Sequence, residues 1–279
     1  MITIIISSYN SVNYSAIVEN VSATIGVPYE IIKIDNPGLM SMAEAYNKGI
    51  NKAQYEILCF CHEDILFHTH NWGIKLLETF NNSSIGVLGV TGTKEFGALP
   101  IGWWNFNWFK NSTYLVQSSL GDKSKYYDKN FKCKDSIEEV LIIDGLFLAS
   151  KKSNSLIFNE DFKGYHGYDI SYCMESLKKG YKNYVTNRFL IEHFSGGNLN
   201  KDWIKTLCFF NKYYKDDLKK IKNYDAKIAM EALKVTIVKA YDFKLKFISN
   251  QYWFKLICHN PFSKFHVWFL LYRLCIFKK

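Results

Sequence analysis

Three polar residues, His62-Glu63-Asp64, follow directly on the apolar run Ile57-Leu58-Cys59-Phe60-Cys61. A short continuous apolar run reads as a strand covered on both faces. Ligands of open α/β sheets collect just beyond the carboxyl ends of such strands. The acids are therefore aimed at a ligand crevice, or they meet water at an ordinary strand end; the stretch alone leaves both open. Further acids and a histidine stand at comparable places. Asp35 ends the run 29–34. Asp144-Gly145 interrupts the apolar run 140–149, so Asp144 must be paired, bound to something or exposed. Asp169 opens a helical pattern, where Asp is a favoured cap; a capping carboxylate is also held rigidly at a loop edge, which suits chemistry. Glu192 and His193 follow the run 184–191, just before Ser195-Gly196-Gly197.

These residues need a frame. Residues 2–6 form an apolar strand, and Asn10 and Asn13 signal a turn and a helix start. Ile17, Val21 and Ile25 carry helical spacing up to Gly26, and 29–34 is the next strand. A helix with Met42, Tyr46, Gly49, Ile50 and Ala53 on one side precedes the strand 57–61. This β-α-β-α-β order with short connections implies a parallel sheet with right-handed crossovers. Strand ends at Ser8, Asp35 and Asp64 would then gather along one edge. Beyond it the pattern predicts a helix over 72–80, a strand over 85–90 and a polar loop over 121–136. It then predicts a loop over 159–166, a helix from Asp169 to Gly180 and one strand over 184–191.

Hydrophobic residues make up 48% of the 279 residues, enough for a core, so wholesale disorder is excluded. The seven cysteines show no CxxC pair and read as reduced thiols of a cytosolic protein. The chain starts in a strand pattern rather than a secretory leader, and no apolar run reaches membrane-spanning length. Neither GxGxxG after the first strand nor GxxxxGK[ST] is present, which removes the main support for dinucleotide-binding and P-loop readings. Net charge is +9, but residues 200–279 hold 17 Lys+Arg against 6 Asp+Glu. The excess belongs to that part, which sets a boundary near Asn200 and points to an acidic partner.

In sequence order, these features resemble the inverting glycosyltransferases of family 2, which have a GT-A fold. The resemblance covers roughly residues 1–198 and looks closest to a bacterial subgroup reading His-x-Asp. It implies a Rossmann-like, mostly parallel sheet with helices on both faces over residues 1–199, and a helical extension over 200–279. The opening ITIIISSYN is similar to the family's first strand, which places Ser8 and Tyr9 at the nucleotide. Asp35 matches the acid that contacts the base, and Asn47-Lys48-Gly49 resembles the Asn-x-Gly of the nucleotide site. His62-Glu63-Asp64 stands where the family has its DXD metal motif: Asp64 matches the last acid, His62 departs from the first, and Glu63 falls at the donor. Asp144-Gly145 matches an acceptor-side Asp-Gly. Asp169 matches the catalytic base, with Tyr168 replacing the usual Glu. His193 matches a histidine that completes the metal site. His166 and the loop tryptophans Trp103 and Trp104 fall to the acceptor side, the tryptophans able to stack on sugar rings or pack on their own domain.

The resemblance implies transfer of a sugar, with inversion, from a nucleotide donor, UDP favoured, to a saccharide or lipid-linked acceptor in surface polysaccharide synthesis. Mn²⁺ or Mg²⁺ would be held by Asp64, His193 and His62, imidazole tilting the choice toward Mn²⁺. The alternatives are a non-catalytic sugar- or nucleotide-binding module and, less well supported, a nucleotidyltransferase. In the C-terminal part, helices are expected over 201–224 and 226–248. Residues 250–279 interleave Trp, Phe and Leu with Lys and Arg, which suits an anionic membrane surface on the cytoplasmic face, or packing on the protein itself or a second subunit. No nucleic-acid motif accompanies the basic patch.

Overall fold

The structure is a computed structural model that describes residues 1–105, 107–118, 124–196, 199–221 and 225–274. Two compact units emerge. The first comprises Met1–Phe96 and Trp108–Asn198; the second comprises Gly97–Asn107 and Leu199–Lys279. The boundary expected at 199/200 does not include the segment 97–107 in the second unit.

The first unit opens with β1 (Ile2–Ser8), α1 (Ser11–Thr24), β2 (Tyr29–Asp35), α2 (Met42–Lys52) and β3 (Ile57–Cys61). β1 lies between β2 and β3, parallel to both. Ile2, Ile4, Ile5 and Ile6 are fully buried, as a strand covered on both faces requires. Local signals set the helices. The Asn10 side chain accepts the N–H groups of Val12 and Asn13 to start α1, and Ser41 and Glu44 form a reciprocal capping box on α2. Gly49 lets α2 lie close on β1: a Cβ there would stand 2.2 Å from Cγ2 of Ile5.

The remaining elements of this unit are β4 (Ile65–Phe67), α3 (Trp72–Thr79), β5 (Ile85–Gly89), β6 (Thr91–Thr93), β7 (Asn111–Gln117), β8 (Lys125–Lys129), β9 (Ile137–Val140), β10 (Ile142–Ile143), β11 (Phe147–Lys151), α4 (Tyr168–Lys178), β12 (Lys182–Thr186) and β13 (Ile191–His193). They make a seven-stranded sheet of order β2-β1-β3-β11-β5-β12-β9 and a second sheet of order β10-β6-β7-β13-β4, with β8 on β7. The first sheet is parallel around β1; β11 enters antiparallel between β3 and β5. In an aromatic core Phe67 stacks on Trp72 at 4.0 Å between ring centres, with Phe147 edge-on to both and Phe189 tilted beside them.

Several expectations are corrected. The run 184–191 is not one strand: β12 ends at Thr186 and β13 starts at Ile191, in the other sheet. Asn187 causes the break, its carboxamide accepting the Ser136 N–H and donating to the Cys133 carbonyl. The segment 121–136 holds strand β8, paired antiparallel with β7; residues 121–123 lie outside the described residues.

The second unit carries α5 (Lys201–Tyr213), α6 (Lys215–Lys220), α7 (Ala226–Asp242), α8 (Lys246–His259) and α9 (Lys264–Arg273). The helix expected over 201–224 divides at Tyr214, and residues 222–224 lie outside the described residues. The helix expected over 226–248 ends at Asp242, because Lys244 takes a left-handed conformation, φ 63°. In this unit Trp104 stacks on Trp203 at 5.9 Å and Thr236 donates to the Pro100 carbonyl.

Candidate functional site

Three backbone connections bring His62, Asp64 and His193 together. The His62 N–H donates to the Leu146 carbonyl just beyond β3. Asp64 immediately precedes β4, and its carbonyl accepts the Phe194 N–H. His193 pairs with Ile65 in the antiparallel β4/β13 ladder. One ligand-type atom from each of the three side chains falls within 4.8 Å of the others. His62 Nδ1 and His193 Nε2 each stand 3.7 Å from Oδ1 of Asp64.

The outer nitrogens of both rings are engaged. The Gln117 amide NH₂ donates to the carbonyls of His193 and Ser195, so its Oε1, 3.1 Å from Nδ1 of His193, must accept. That makes Nδ1 the protonated nitrogen and leaves the Nε2 lone pair facing Asp64, with the Ser195 hydroxyl 3.1 Å away. His62 Nε2 lies 2.7 Å from the Tyr168 hydroxyl. Burial, and then the nearby His193, holds the His62 pKa below its usual value, which favours a neutral ring able to offer a lone pair. Two imidazole nitrogens and one carboxylate, with space beside them, are a donor set able to take a divalent cation.

The cluster borders a cavity of about 770 Å³. Its walls come from the end of β1 with Tyr9, the β2–α2 connection with Asn36 and Met40, the segment 62–64, and the loops carrying Tyr165 and Ser195. The walls are tied together: the Met42 N–H donates to the Gly164 carbonyl, and the Asn36 carboxamide spans both backbone groups of Met40. Buried Glu63 accepts the N–H groups of Tyr9 and Asn10, fixing the turn after β1.

The other expected residues scatter more. Ser8 is buried, its carbonyl taking the Asn36 N–H. Asp35 sits at the same sheet edge but is exposed and paired with Lys33 at 2.6 Å; the neighbouring Asn36 lines the cavity instead. Asn47 does not line it: its carboxamide is bonded to both backbone groups of Phe158 and to Glu160, so it clamps α2 to the 158–160 loop. Asp144 accepts the Leu146 N–H in a tight turn. Gly145 faces the Tyr168 phenol, where a Cβ would stand 2.1 Å from the hydroxyl oxygen. His166 stacks edge-on with Tyr165 at 5.6 Å. Trp103 and Trp104 belong to the second unit. Gly197 lies outside the described residues.

Asp169 is not the helix cap: that position is Gly167, with φ 82°, and Asp169 stands in the first turn of α4. Burial and then the charge of Asp144 push its carboxyl up to about 7, against the backbone N–H groups of Ile170 and Gly145, which favour the charged form. A carboxyl titrating there can exchange a proton near neutrality. Tyr165 stands between these groups: its hydroxyl feels Asp64, Asp144 and Asp169, its ring lies 5.8 Å from that of His62, and burial pushes its pKa up.

Sequence reasoning missed Gln117 and Tyr165. Nothing local marks Gln117, which meets His193 only because β7 and β13 pair in parallel. Tyr165 had a signal: it is an aromatic in the run Gly164-Tyr165-His166-Gly167, next to Asp169.

A parallel β1–β2–β3 core, a second sheet seating acids and a histidine, and helices on the sheet define the GT-A class of α/β fold. The chain belongs to a glycosyltransferase-like family, whose pattern matches residues 3–227. Among solved structures, GalNAc-T7 with UDP, GalNAc and Mn²⁺ is similar at TM-score 0.51 and 8% identity, covering 93% of this chain and 58% of its own. The S. aureus TarS fragment 1–349 with UDP-GlcNAc aligns at TM-score 0.49 and 11% identity, over 92% of this chain and 79% of that one. A197 from STIV aligns at 0.41 and 15%, over 70% and 85%. No curated protein matches the chain in sequence.

Proposed function

We propose that this protein transfers a sugar from a nucleotide donor, UDP favoured, to a saccharide or lipid-linked acceptor, with inversion at the anomeric carbon. The observation that carries the reading is the His62–Asp64–His193 group beside a cavity whose size falls within the range of small-ligand sites. The Mn²⁺ and UDP bound to GalNAc-T7, a protein of like fold, support it. Asp64, His193 and His62 would hold Mn²⁺ or Mg²⁺, which when bound neutralises charge on a leaving diphosphate.

Glu63 fixes the Tyr9–Asn10 turn on the donor side of the cavity, and Asn36 lines the wall where the base would sit. Asp169 takes the proton of the acceptor hydroxyl as its oxygen bonds to the anomeric carbon and the bond to the diphosphate oxygen breaks on the opposite face. Asp144 raises the proton affinity of Asp169, and with Gly145 and His166 it is assigned to the acceptor side.

Titration calorimetry of UDP with and without Mn²⁺ tests the reading. Binding should need the metal and vanish in Asp64→Ala. Silence toward UDP, GDP, dTDP and CMP alike would refute the nucleotide-donor reading. Nucleotide binding without turnover of any sugar donor would point to a binding module instead.

The lipid-linked acceptor gains support from α9. Phe265 and Phe269 turn inward, Phe269 against Tyr241 and Trp253, while Val267, Leu270 and Leu274 lie at helical spacing on the exposed side. Phe254 and Phe262 are exposed nearby, with Lys246, Lys255 and Lys264 in the same helices. An apolar face flanked by lysines suits the surface of an anionic membrane, where this reading places the protein on the cytoplasmic side. Among the described residues no helix is long and apolar enough to cross one. Sedimentation with phosphatidylglycerol vesicles should fall in a Val267→Ser/Leu270→Ser variant; equal sedimentation of both proteins would end the membrane reading.

A further inference from the structure

We infer that the sugar carried by the donor lies against Tyr165 and is uncharged, so that donors of uronic acids are rejected. The inference rests on the nucleotide-donor reading and names the class of sugar. Its ground is the charge in and behind the cavity wall. Glu63 and Asp64 line the cavity, and its described lining residues include no Lys or Arg. Two lysines close in sequence to that wall pair with acids outside it, Lys33 with Asp35 at 2.6 Å and Lys163 with Glu44 at 3.8 Å.

Tyr165 marks where the sugar falls. It lines the cavity, with its ring 5.8 Å from that of His62, whose Nδ1 stands 3.7 Å from Asp64. That is the end at which the diphosphate would be held. The Tyr165 hydroxyl also feels Asp144 and Asp169, which stand off the lining; Asp169 is the group that would take the acceptor's proton. A sugar bonded to the diphosphate on one face and approached by the acceptor on the other must occupy the space between these two ends. Tyr165 is the residue common to both. Left-handed Gly164 and Gly167 bracket it, and the Met42 N–H on the Gly164 carbonyl fixes the near side. Among the described residues the Tyr165 hydroxyl has no hydrogen-bond partner, and burial and the three acids keep its proton on. It is a donor open to a sugar oxygen.

The same surroundings set the charge of that sugar. They already resist a negative group: Asp169 holds its proton up to about 7, because of burial and then Asp144. A carboxylate at C6 of the sugar would enter this field with no lysine or arginine on the described wall to pair with, and would lose water as well. A divalent ion would not relieve it, because the donor's diphosphate brings as much negative charge as the ion brings positive. A hydroxymethyl group at the same carbon offers a proton to the acids and an oxygen to Tyr165.

Titration calorimetry in the presence of Mn²⁺ tests this with two pairs of donors that differ only at C6. One pair is UDP-glucose and UDP-glucuronic acid; the other is UDP-galactose and UDP-galacturonic acid. In each pair the uronic acid should bind about 10–100-fold more weakly. Asp144→Asn, whose side-chain oxygen can still accept the Leu146 N–H, should narrow that gap. Tyr165→Phe should weaken the neutral donors about 3–10-fold and leave UDP itself unchanged. Equal or tighter binding of the uronic acid in either pair, a gap unaltered by Asp144→Asn, or an equal loss for UDP and the neutral donors in Tyr165→Phe would overturn the inference. Binding of UDP with neither neutral donor bound would overturn it too. Absence of UDP binding would instead refute the donor reading on which the inference stands.

Discussion

Replacing Asp169 by Asn should make the protein more stable and nearly inactive. The carboxyl titrates at about 7 in the folded protein, against 3.8 for an unperturbed aspartate, because burial and Asp144 disfavour its charge. The unfolded chain therefore gives up the proton more easily than the folded one. Stability from this group is fully present below about pH 3.8. It is lost progressively as pH rises toward 7, then levels off. A shift of about three units corresponds to about 4 kcal/mol at most; Asp169 keeps some solvent exposure, so on the order of 2–4 kcal/mol is expected. Asn bears no charge and keeps an oxygen for the Ile170 or Gly145 N–H. Urea unfolding at pH 4, 6 and 8 should show the variant's advantage growing between the first and last. Sugar transfer by the variant should fall about 10²–10⁴-fold, and wild-type turnover should rise through pH 7 as the base loses its proton. A pH-independent stability difference would refute the buried-carboxyl argument. Near-normal transfer by the variant would remove Asp169 from the base role.

Glu63→Ala should keep the fold but loosen the turn after β1, whose Tyr9 and Asn10 N–H groups lose their acceptor; UDP affinity measured by calorimetry should drop roughly tenfold, in line with loss of a charge-assisted hydrogen bond. Gly49→Ala should cost about 1–3 kcal/mol in urea unfolding, because the new methyl meets Ile5 and forces α2 off β1.

The sequence carried the elements that local rules govern. β1, α1, β2, α2 and β3 follow from apolar runs, an Asn cap and a capping box, and their order implies the parallel pairing found around β1. The placement of His62 and Asp64 just beyond β3 was legible for the same reason, whereas His193 was expected after one strand over 184–191 and instead ends the separate strand β13. What was not legible depends on partners far along the chain. Asn187 breaks an apolar run because Ser136 and Cys133 reach it, and no periodicity within 182–193 records that. Asn47 looks free for a ligand until Phe158 and Glu160 are seen to use up its carboxamide. Lys244 ends a helix whose spacing runs on past it, since three- and four-residue steps register a face and not a left-handed backbone. Asp169 reads as a cap by type, yet Gly167 takes the cap and leaves the carboxyl to be set by burial.

The ladder between β4 and β13 also bears on how the protein comes off the ribosome. Ile65 and His193 are neighbours there, although well over a hundred residues of chain separate them. Closing so long a loop is slow and waits until the later strand has been synthesised. A nascent chain that already holds its first three strands would thus carry His62 and Asp64 without their third companion. The three side chains would come together only near the end of synthesis of the first unit, as one of its last acquisitions.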